Sequence, residues 1–587
     1  MKKLINDPNA VVREMLEGAV ALTPSQAILP DETVVVRLPL PPQAGGGTDL
    51  RAWPVAVISG GGSGHEPAHA GFVGAGMLAA AVTGNVFTSP SVDAVLAGLR
   101  AVAGPAGTLM IVKNYTGDRL NFGLAAEIAR AEGLLVEVVV VADDVALRGT
   151  VERGRRRGIA GTVLVHKVAG AAAAAGLPLQ DVAALARQAA EGVGSMGVAL
   201  GGCTLPGAAR DGFQLAGDEI ELGLGIHGEP GVARAKLTSA DDLVQVMADT
   251  IVDDLALRAG DRVALLVNGL GATPMMELDI VLRAALAHLR ARGIEVARAW
   301  RGTLLSALDM PGCSVSLMRL DDQVTALLDA PADAPAWPGA GRLNPQVTLP
   351  ARAAPRAGAG PEDMTLADKA LAAGAPLGGD GRDLRRAAVA AATALLAAEE
   401  RLTDLDAKTG DGDLGASMAR AARAVLDLPD AVWRSPSAAL AAMSHTLRRQ
   451  VGGSSGPFYA TALMRASRHL ASHDASAPAD WAGALAAATL AVSGLGGARQ
   501  GDRTMVDALG PAAQALTAAV AAGAAAPDAA RACAAAAHAG AEATAGMLPR
   551  LGRSSYLGDR ALGVPDGGAV AVGIWLGAVC GTVAHGA

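Results

Sequence analysis

Residues 331–365 divide this chain. They are dense in Pro, Ala and Gly and show no apolar periodicity, which is the composition of an extended, semi-flexible linker. A core cannot run through such a stretch, so the 587 residues fall into separately packed parts, 1–330 and 366–587. Before the seam, short apolar runs bounded by Gly or Pro alternate with helical stretches. Val55–Ser59, Thr108–Val112, Leu134–Ala142 and Arg262–Asn268 read as buried strands, and Ser91–Val102 and Leu120–Ala131 as helices. That alternation predicts an α/β architecture, and a second break near residues 170–200 predicts two lobes. After the seam strand signals nearly vanish. Residues 382–403, 415–427, 437–450, 456–472, 480–493, 504–521, 527–547 and 567–584 are Ala/Leu-rich and helical in pattern. The second part should be all-α, a helical barrel or bundle with its chemistry on the connecting loops.

Charge and cysteine usage narrow the function classes. The net charge is −8, without a long basic run, so neither nucleic acid nor an anionic membrane surface is an expected partner. Cys203, Cys313, Cys533 and Cys580 are far apart and form no CxxC pair; they read as buried small hydrophobes in a reducing compartment. The start, MKKLINDPNAVV, lacks the apolar core of a signal peptide. The Gly/Ala-rich stretch 567–584 reads as a buried helix rather than a membrane span. A cytoplasmic protein is expected.

Three patches in the first part carry chemistry. SGGGSGHEP (59–67) follows a strand, and its glycines either expose N–H groups to a ligand or simply make a tight turn. His65 is there a hydrogen-bonder or a catalyst. No GxxxxGK[ST] occurs in the chain, so this is not a Walker A loop. Lys113-Asn114-Tyr115-Thr116-Gly117-Asp118 follows another strand, at the end where α/β sheets bind ligands. Asp118 could be a general base for a hydroxyl, or the cap of a helix starting near Leu120. Gly223, Gly225 and Gly228 formally match GxGxxG, but Pro230 and Gly231 break the helix that dinucleotide binding needs. What remains is His227 on a turn with little bulk around it, either a nucleophile toward a carbonyl carbon or a loop imidazole facing water.

The second part offers LTDLDAKTGDGDLG (402–415), with Asp406, Asp411 and Asp413 around one Gly-rich loop. Carboxylates this close repel unless cations lie between them, and hard oxygen donors favour Mg²⁺ or Ca²⁺. An Asp-Gly turn explains Gly410 and Gly412 but not the third acid, and the EF-hand register fails. Further Gly-rich loops, 452–456, 496–505, 552–556 and 566–569, each lead toward a helix whose N-terminal amides suit phosphates. Only Lys369 and Lys408 supply lysine in this part, so phosphate charge would fall to metal and a few arginines.

Taken in order, these motifs resemble the dihydroxyacetone kinases. The first part is similar to their K-type subunit in MKKLINDPNAVVREMLEG, SGGGSGHEPAHAGFVG, TGNVFTSPS, KNYTGD, GCTLPG, GIHGEPG and VNGLGATPMMEL. The second is similar to their L-type nucleotide-binding subunit in LDAKTGDGDLG, GGSSGPFY, GDRTMVDAL and GRSSYLGDRALG. The resemblance spans nearly the whole chain apart from the linker. It implies an ATP- and Mg²⁺-dependent kinase that makes dihydroxyacetone phosphate. His227 matches the histidine that holds the substrate carbonyl as a hemiaminal, which would select carbonyl compounds over glycerol. Asp118 matches the acid that activates the hydroxyl, His65 the histidine near the reacting oxygen, and Gly62 and Lys113 line the same pocket. Asp406, Asp411 and Asp413 match the holders of two Mg²⁺ ions. Leu414, Gly415, Ala416, Ser417, Ser454, Ser455, Met505, Arg553, Asp566, Gly567 and Gly568 match positions around the nucleotide.

Fusion of both modules, with no phosphocarrier domain after them, favours exchangeable ATP over a retained nucleotide recharged by a phosphotransferase protein. The linker raises the effective concentration of one module near the other, and a homodimer is expected. The chain departs from the family pattern in three places. Gly567 replaces a proline, Leu414 a small hydroxylated residue, and Ser306-Ala307 a Thr-Ser pair. L-erythrulose and glyceraldehyde are alternative substrates, and a dihydroxyacetone-sensing regulator is a different class that the retained Asp406, Asp411 and Asp413 argue against.

Overall fold

The computed structural model describes residues 2–41, 53–208, 213–229, 231–348, 379–451, 455–473 and 477–584. The chain forms two compact units, Met1–Leu349 and Pro350–Ala587.

The first unit holds two six-stranded sheets. One has the order β1 (Gln26–Ile28), β2 (Val34–Arg37), β4 (Ala80–Val86), β3 (Ala56–Ser63), β5 (Thr108–Lys113), β6 (Val136–Val141). Its last four strands are parallel, and β3 and β5 are buried along their whole length. That is why these segments read as unbroken apolar runs. The chain passes to the second sheet through helices Thr162–Ala174 and Leu179–Gly192. The second sheet has the order β11 (Glu295–Gly302), β10 (Arg262–Gly269), β12 (Gly312–Arg319), β7 (Val193–Ala199), β8 (Glu219–Leu222), β9 (Ala233–Lys236). Only β10 and β11 run parallel; the other pairs are antiparallel.

Part of the Pro/Ala-rich seam belongs to this unit. Asp333 bridges to Ala75, Trp337 packs on Trp300 with ring centroids 5.0 Å apart, and Trp300 Nε1 donates to Gly339 O at 2.7 Å. A buried indole pair stabilises this strap by area as well as by ring contact, which Pro and Ala counts do not register. The stretch 349–365 lies outside the described residues.

The second unit is helical. Helices Gly379–Ala397, Leu414–Leu426, Pro436–Gln450, Ser455–Ala471, Pro478–Gly496, Val506–Ala521, Ala526–Ala543 and Gly567–Ala584 each pack on the next, and the last returns to the first. The result is a closed ring. Where the periodicity predicts one helix over 382–403, the structure has two, since Ala398 leaves helical geometry (φ −100°, ψ 5°) and a new helix, Glu399–Thr409, begins. Gly567–Ala584 is long and apolar enough to cross a membrane (mean hydropathy 1.7), yet here it lies between its two ring neighbours. So many alanines bring the helices close but leave the centre unfilled. A cavity of about 500 Å³ remains, lined by Leu395, Met418, Leu463, Trp481, Leu516 and Leu576 among others.

Candidate active site

In the first unit, the parallel strands deliver the chemistry at their C-terminal ends, as open α/β sheets do. The glycines read as a loop are the end of β3 itself. A Cβ on Gly62 would lie 2.6 Å from Thr88 N, so only glycine lets β3 run this close to the 86–88 segment. His65 follows, fully buried. Its Nδ1 lies 2.9 Å from Ser306 O and its Nε2 lies 3.2 Å from His227 Nε2. A carbonyl only accepts, so neutral His65 carries its proton on Nδ1 and leaves Nε2 bare; His227 Nε2 is then the N–H of the pair.

His227 sits on the turn after β8, a half-buried residue. Tyr115 faces its ring edge-on at 4.5 Å and Phe87 at 5.3 Å between centroids. Its backbone N–H donates to Glu229 Oε2 at 2.8 Å. Glu229 is paired with Arg157, which also holds the buried Asp144 at 2.7 Å. This bracket of charges pins the turn. Burial holds the His227 imidazole below its ordinary pKa, and the Lys113 charge works in the same direction. Burial, then the His227 and Lys113 charges, push His65 well below the ordinary value. Both rings are therefore neutral at neutral pH, the state a nitrogen nucleophile needs.

Lys113 ends β5 and is fully buried. Burial lowers its pKa against the opposing pull of Asp118 and Asp143. Asp118 is also buried. The capping alternative for Asp118 fails because the helix begins at Thr116, not near Leu120, and its N-cap, Tyr115, makes no side-chain cap bond. Asp118 lies inside the first turn and accepts from Ser89 Oγ. Ser89, Phe87, Tyr115, Glu229 and Arg157 were not singled out by the sequence reading. Phe87 and Ser89 lie within TGNVFTSPS, Tyr115 within KNYTGD and Glu229 within GIHGEPG, and that proximity is the available signal; Arg157 lies in none of these motifs.

In the second unit the three acids meet. Asp406 lies in the last turn of the helix Glu399–Thr409, and its Oδ2 accepts from Asp413 N at 2.9 Å and Leu414 N at 3.2 Å. These bonds fold the 410–413 loop back on the helix. One carboxylate oxygen from each of Asp406, Asp411 and Asp413 lies within 4.8 Å of the others, with Asp411 and Asp413 exposed and Asp406 half-buried. Such a set of hard, outward-facing oxygens fits Mg²⁺ with water completing its shell.

The loops predicted around the nucleotide come partly together. Leu414, Gly415, Ala416 and Ser417 form the first turn of Leu414–Leu426. Met505 immediately precedes Val506–Ala521, and Asp566 precedes Gly567–Ala584. A Cβ on Gly567 would lie 2.8 Å from Leu414 Cδ2, and one on Gly568 would lie 3.7 Å from Met505 Cβ. Three helix N-termini thus share one corner, with their positive dipole ends suited to phosphate. Asp566 accepts from Ala569 N at 2.8 Å. Burial pushes its carboxyl up to about 6, with the charges of Asp507 and Asp406 adding to the rise. Arg503, absent from the predicted set, donates to Ala561 O at 3.3 Å and Val564 O at 2.8 Å, so it ties its own loop to the one leading to Asp566. Ser455 opens the helix Ser455–Ala471. Ser454 and the side chain of Arg553 lie outside the described residues.

Comparison with known proteins agrees with this layout. Residues 17–336 match the Dak1 domain and residues 408–581 the DAK2 domain. The triokinase/FMN cyclase of Homo sapiens is 42% identical over 590 residues, covering 98% of each chain. The D-erythrulose kinase of Mycolicibacterium smegmatis is 36% identical over 579 residues, covering 98% of this chain and 97% of its own. Among solved structures, the dihydroxyacetone kinase from C. freundii in complex with AMP-PNP and Mg²⁺ matches with a TM-score of 0.59 and 34% identity, covering 100% of both chains. With both domains matched in order and relatives aligned along nearly their whole length, the chain belongs to the dihydroxyacetone kinase family whose members fuse a Dak1 and a DAK2 domain.

Proposed function

We propose that this chain is an ATP-dependent kinase that transfers the γ-phosphoryl group of ATP to a hydroxyl of dihydroxyacetone, giving dihydroxyacetone phosphate. The observation that carries this reading is the His65–His227 pair, two neutral imidazoles 3.2 Å apart, in a pocket shared with buried Asp118 and Lys113. As His227 Nε2 bonds to the substrate carbonyl carbon, its proton passes to His65 Nε2 and the carbonyl π pair moves to oxygen. His65 then returns a proton to that oxygen, leaving a hemiaminal and two neutral rings. Asp118 takes the proton of the hydroxyl that attacks phosphorus, and Ser89 holds its carboxylate in place.

Asp406, Asp411 and Asp413 would hold two Mg²⁺ ions, which neutralise nucleotide phosphate charge when bound. Leu414–Ser417, Ser454, Ser455, Met505, Arg553 and Asp566–Gly568 would surround the nucleotide. The enzyme would work in the cytoplasm as a homodimer on exchangeable ATP. Dihydroxyacetone is the family's default; L-erythrulose and glyceraldehyde carry the same carbonyl beside a hydroxyl and are alternatives within the same chemistry. ADP release measured with dihydroxyacetone, L-erythrulose, glyceraldehyde and glycerol tests the reading. Turnover is expected with carbonyl substrates only, and fast glycerol phosphorylation would overturn the covalent histidine.

A further inference from the structure

Behind the pocket lies a second histidine pair that the reaction above does not use. His69 and His166 are buried, with ring centroids 5.1 Å apart. Among the described residues His69 Nδ1 and both His166 ring nitrogens have no hydrogen-bond partner. The remaining nitrogen, His69 Nε2, lies 2.6 Å from Lys113 Nζ. Lys113 also donates to Gly60 O at 3.1 Å. An ammonium has three donors and no acceptor, so two of its N–H groups are committed and one remains. The glycine at 61 leaves that side open: a Cβ there would lie 2.5 Å from Lys113 Nζ and 3.6 Å from Asp118 Oδ2.

We propose that His69 is a positioning residue: its neutral ring, protonated on Nδ1, holds the Lys113 ammonium so that the third N–H faces the Asp118 side of the pocket. The geometry requires a bare Nε2, since an ammonium cannot accept. Burial and the Lys113 charge keep His69 well below the ordinary imidazole value, and His166 is pushed down to about 3 by burial and then by Lys113. Neither ring therefore competes with Lys113 for the proton. The cation is kept where charge gathers when a hydroxyl beside Asp118 meets a phosphoryl group. A charge-assisted hydrogen bond of this kind is worth roughly 1.5–3 kcal/mol, about ten- to hundred-fold in rate if it acts at the transition state.

The inference rests on the kinase reading, so its test has a substrate-free arm. Ring-nitrogen NMR of the full chain at neutral pH should show His69 as the neutral Nδ1–H tautomer, and Lys113→Met should disturb that signal. An Nε2–H tautomer or an imidazolium would overturn the proposal, whatever the chain phosphorylates. In the kinetic arm, His69→Phe should lower kcat roughly ten- to hundred-fold with KM for dihydroxyacetone changed less than about threefold. His69→Gln, which restores an acceptor, should recover most of the loss. Wild-type kcat in the Phe variant, or equal losses in both variants, would overturn it. If the wild-type chain phosphorylates no carbonyl compound, the kinase reading falls while the NMR arm still decides the tautomer.

Discussion

The two candidate sites solve opposite electrostatic problems. In the first unit, His65 and His69 follow the end of β3, Lys113 ends β5 and Asp118 lies in a helix's first turn; all four are buried, each held by a fixed neighbour. In the second, Asp411 and Asp413 stand exposed on a Gly-rich loop, and Asp406 spends one oxygen folding that loop. A small uncharged ketone offers little to grip, so its site must exclude water and keep its imidazoles neutral. A triphosphate carries its own charge and counterions, and an exposed set of acids can take them up with little rebuilding. Rigidity therefore belongs to the His65–His227 site, and accessibility to the acidic one.

The sharpest way to break this contrast is at Asp118. Asp118→Ala should lower kcat by about 10²–10⁴ with a small change in substrate KM, read in a coupled ADP-release assay. Near-normal turnover would remove Asp118 from the chemistry. Next in size, Asp411→Asn with Asp413→Asn should reduce turnover roughly hundred-fold and raise the Mg²⁺ concentration needed for half-activity. Dihydroxyacetone should still bind the first unit in calorimetry; if binding is lost as well, the two sites are not independent.

A third test uses acid. His65, His69, His166 and His227 all have folded pKa values below the ordinary 6.5. Their contribution to stability is complete above 6.5 and is lost as pH falls, over a window reaching about 3 for His166. Asp566 is raised from 3.8 to about 6, so its contribution is complete below 3.8 and is lost as pH rises through about 6. Melting followed by unit-specific probes should therefore show acid weakening the first unit, while the Asp566 term favours the second. A parallel acid response of both units, insensitive to Asp566→Asn, would contradict this.

The smallest effect is expected at Gly567. Proline is well suited to the first turn of a helix, but here a Cβ would press on Leu414 Cδ2. Gly567→Pro alone should cost about 1 kcal/mol, and adding Leu414→Thr should recover most of it, a coupling visible in a double-mutant cycle. Additive effects would show that the two departures from the family pattern are unrelated.

Much of this was legible in the sequence because the signals are local. β3 and β5 are apolar runs that end in Gly-rich or charged motifs, and Asp406, Asp411 and Asp413 lie within one loop. What was not legible depends on distant residues. Lys113 meets His69 across 44 positions, and His65 meets His227 across 162; no pattern within one segment can reveal such pairs. Asp118 reads as a cap if the helix starts near Leu120, and Tyr115 in extended geometry is what moves that start to Thr116. The antiparallel pairing of β12 with β7 and β10 is likewise a matter of topology, since a fully buried strand looks alike in either direction. The helix break at Ala398 carries no Gly or Pro to announce it.

The closed ring of the second unit has a consequence for how the protein is made. Its first helix, Gly379–Ala397, finds a partner in Gly567–Ala584, near the end of the chain. On a ribosome that first helix emerges long before its partner exists, and closing so long a loop carries an entropic cost that only the completed helix offsets. Until Gly567–Ala584 has emerged, one apolar edge of the ring stays open to water and to chaperones. A nascent chain stopped short of Gly567 should therefore aggregate more readily than one in which the ring has closed.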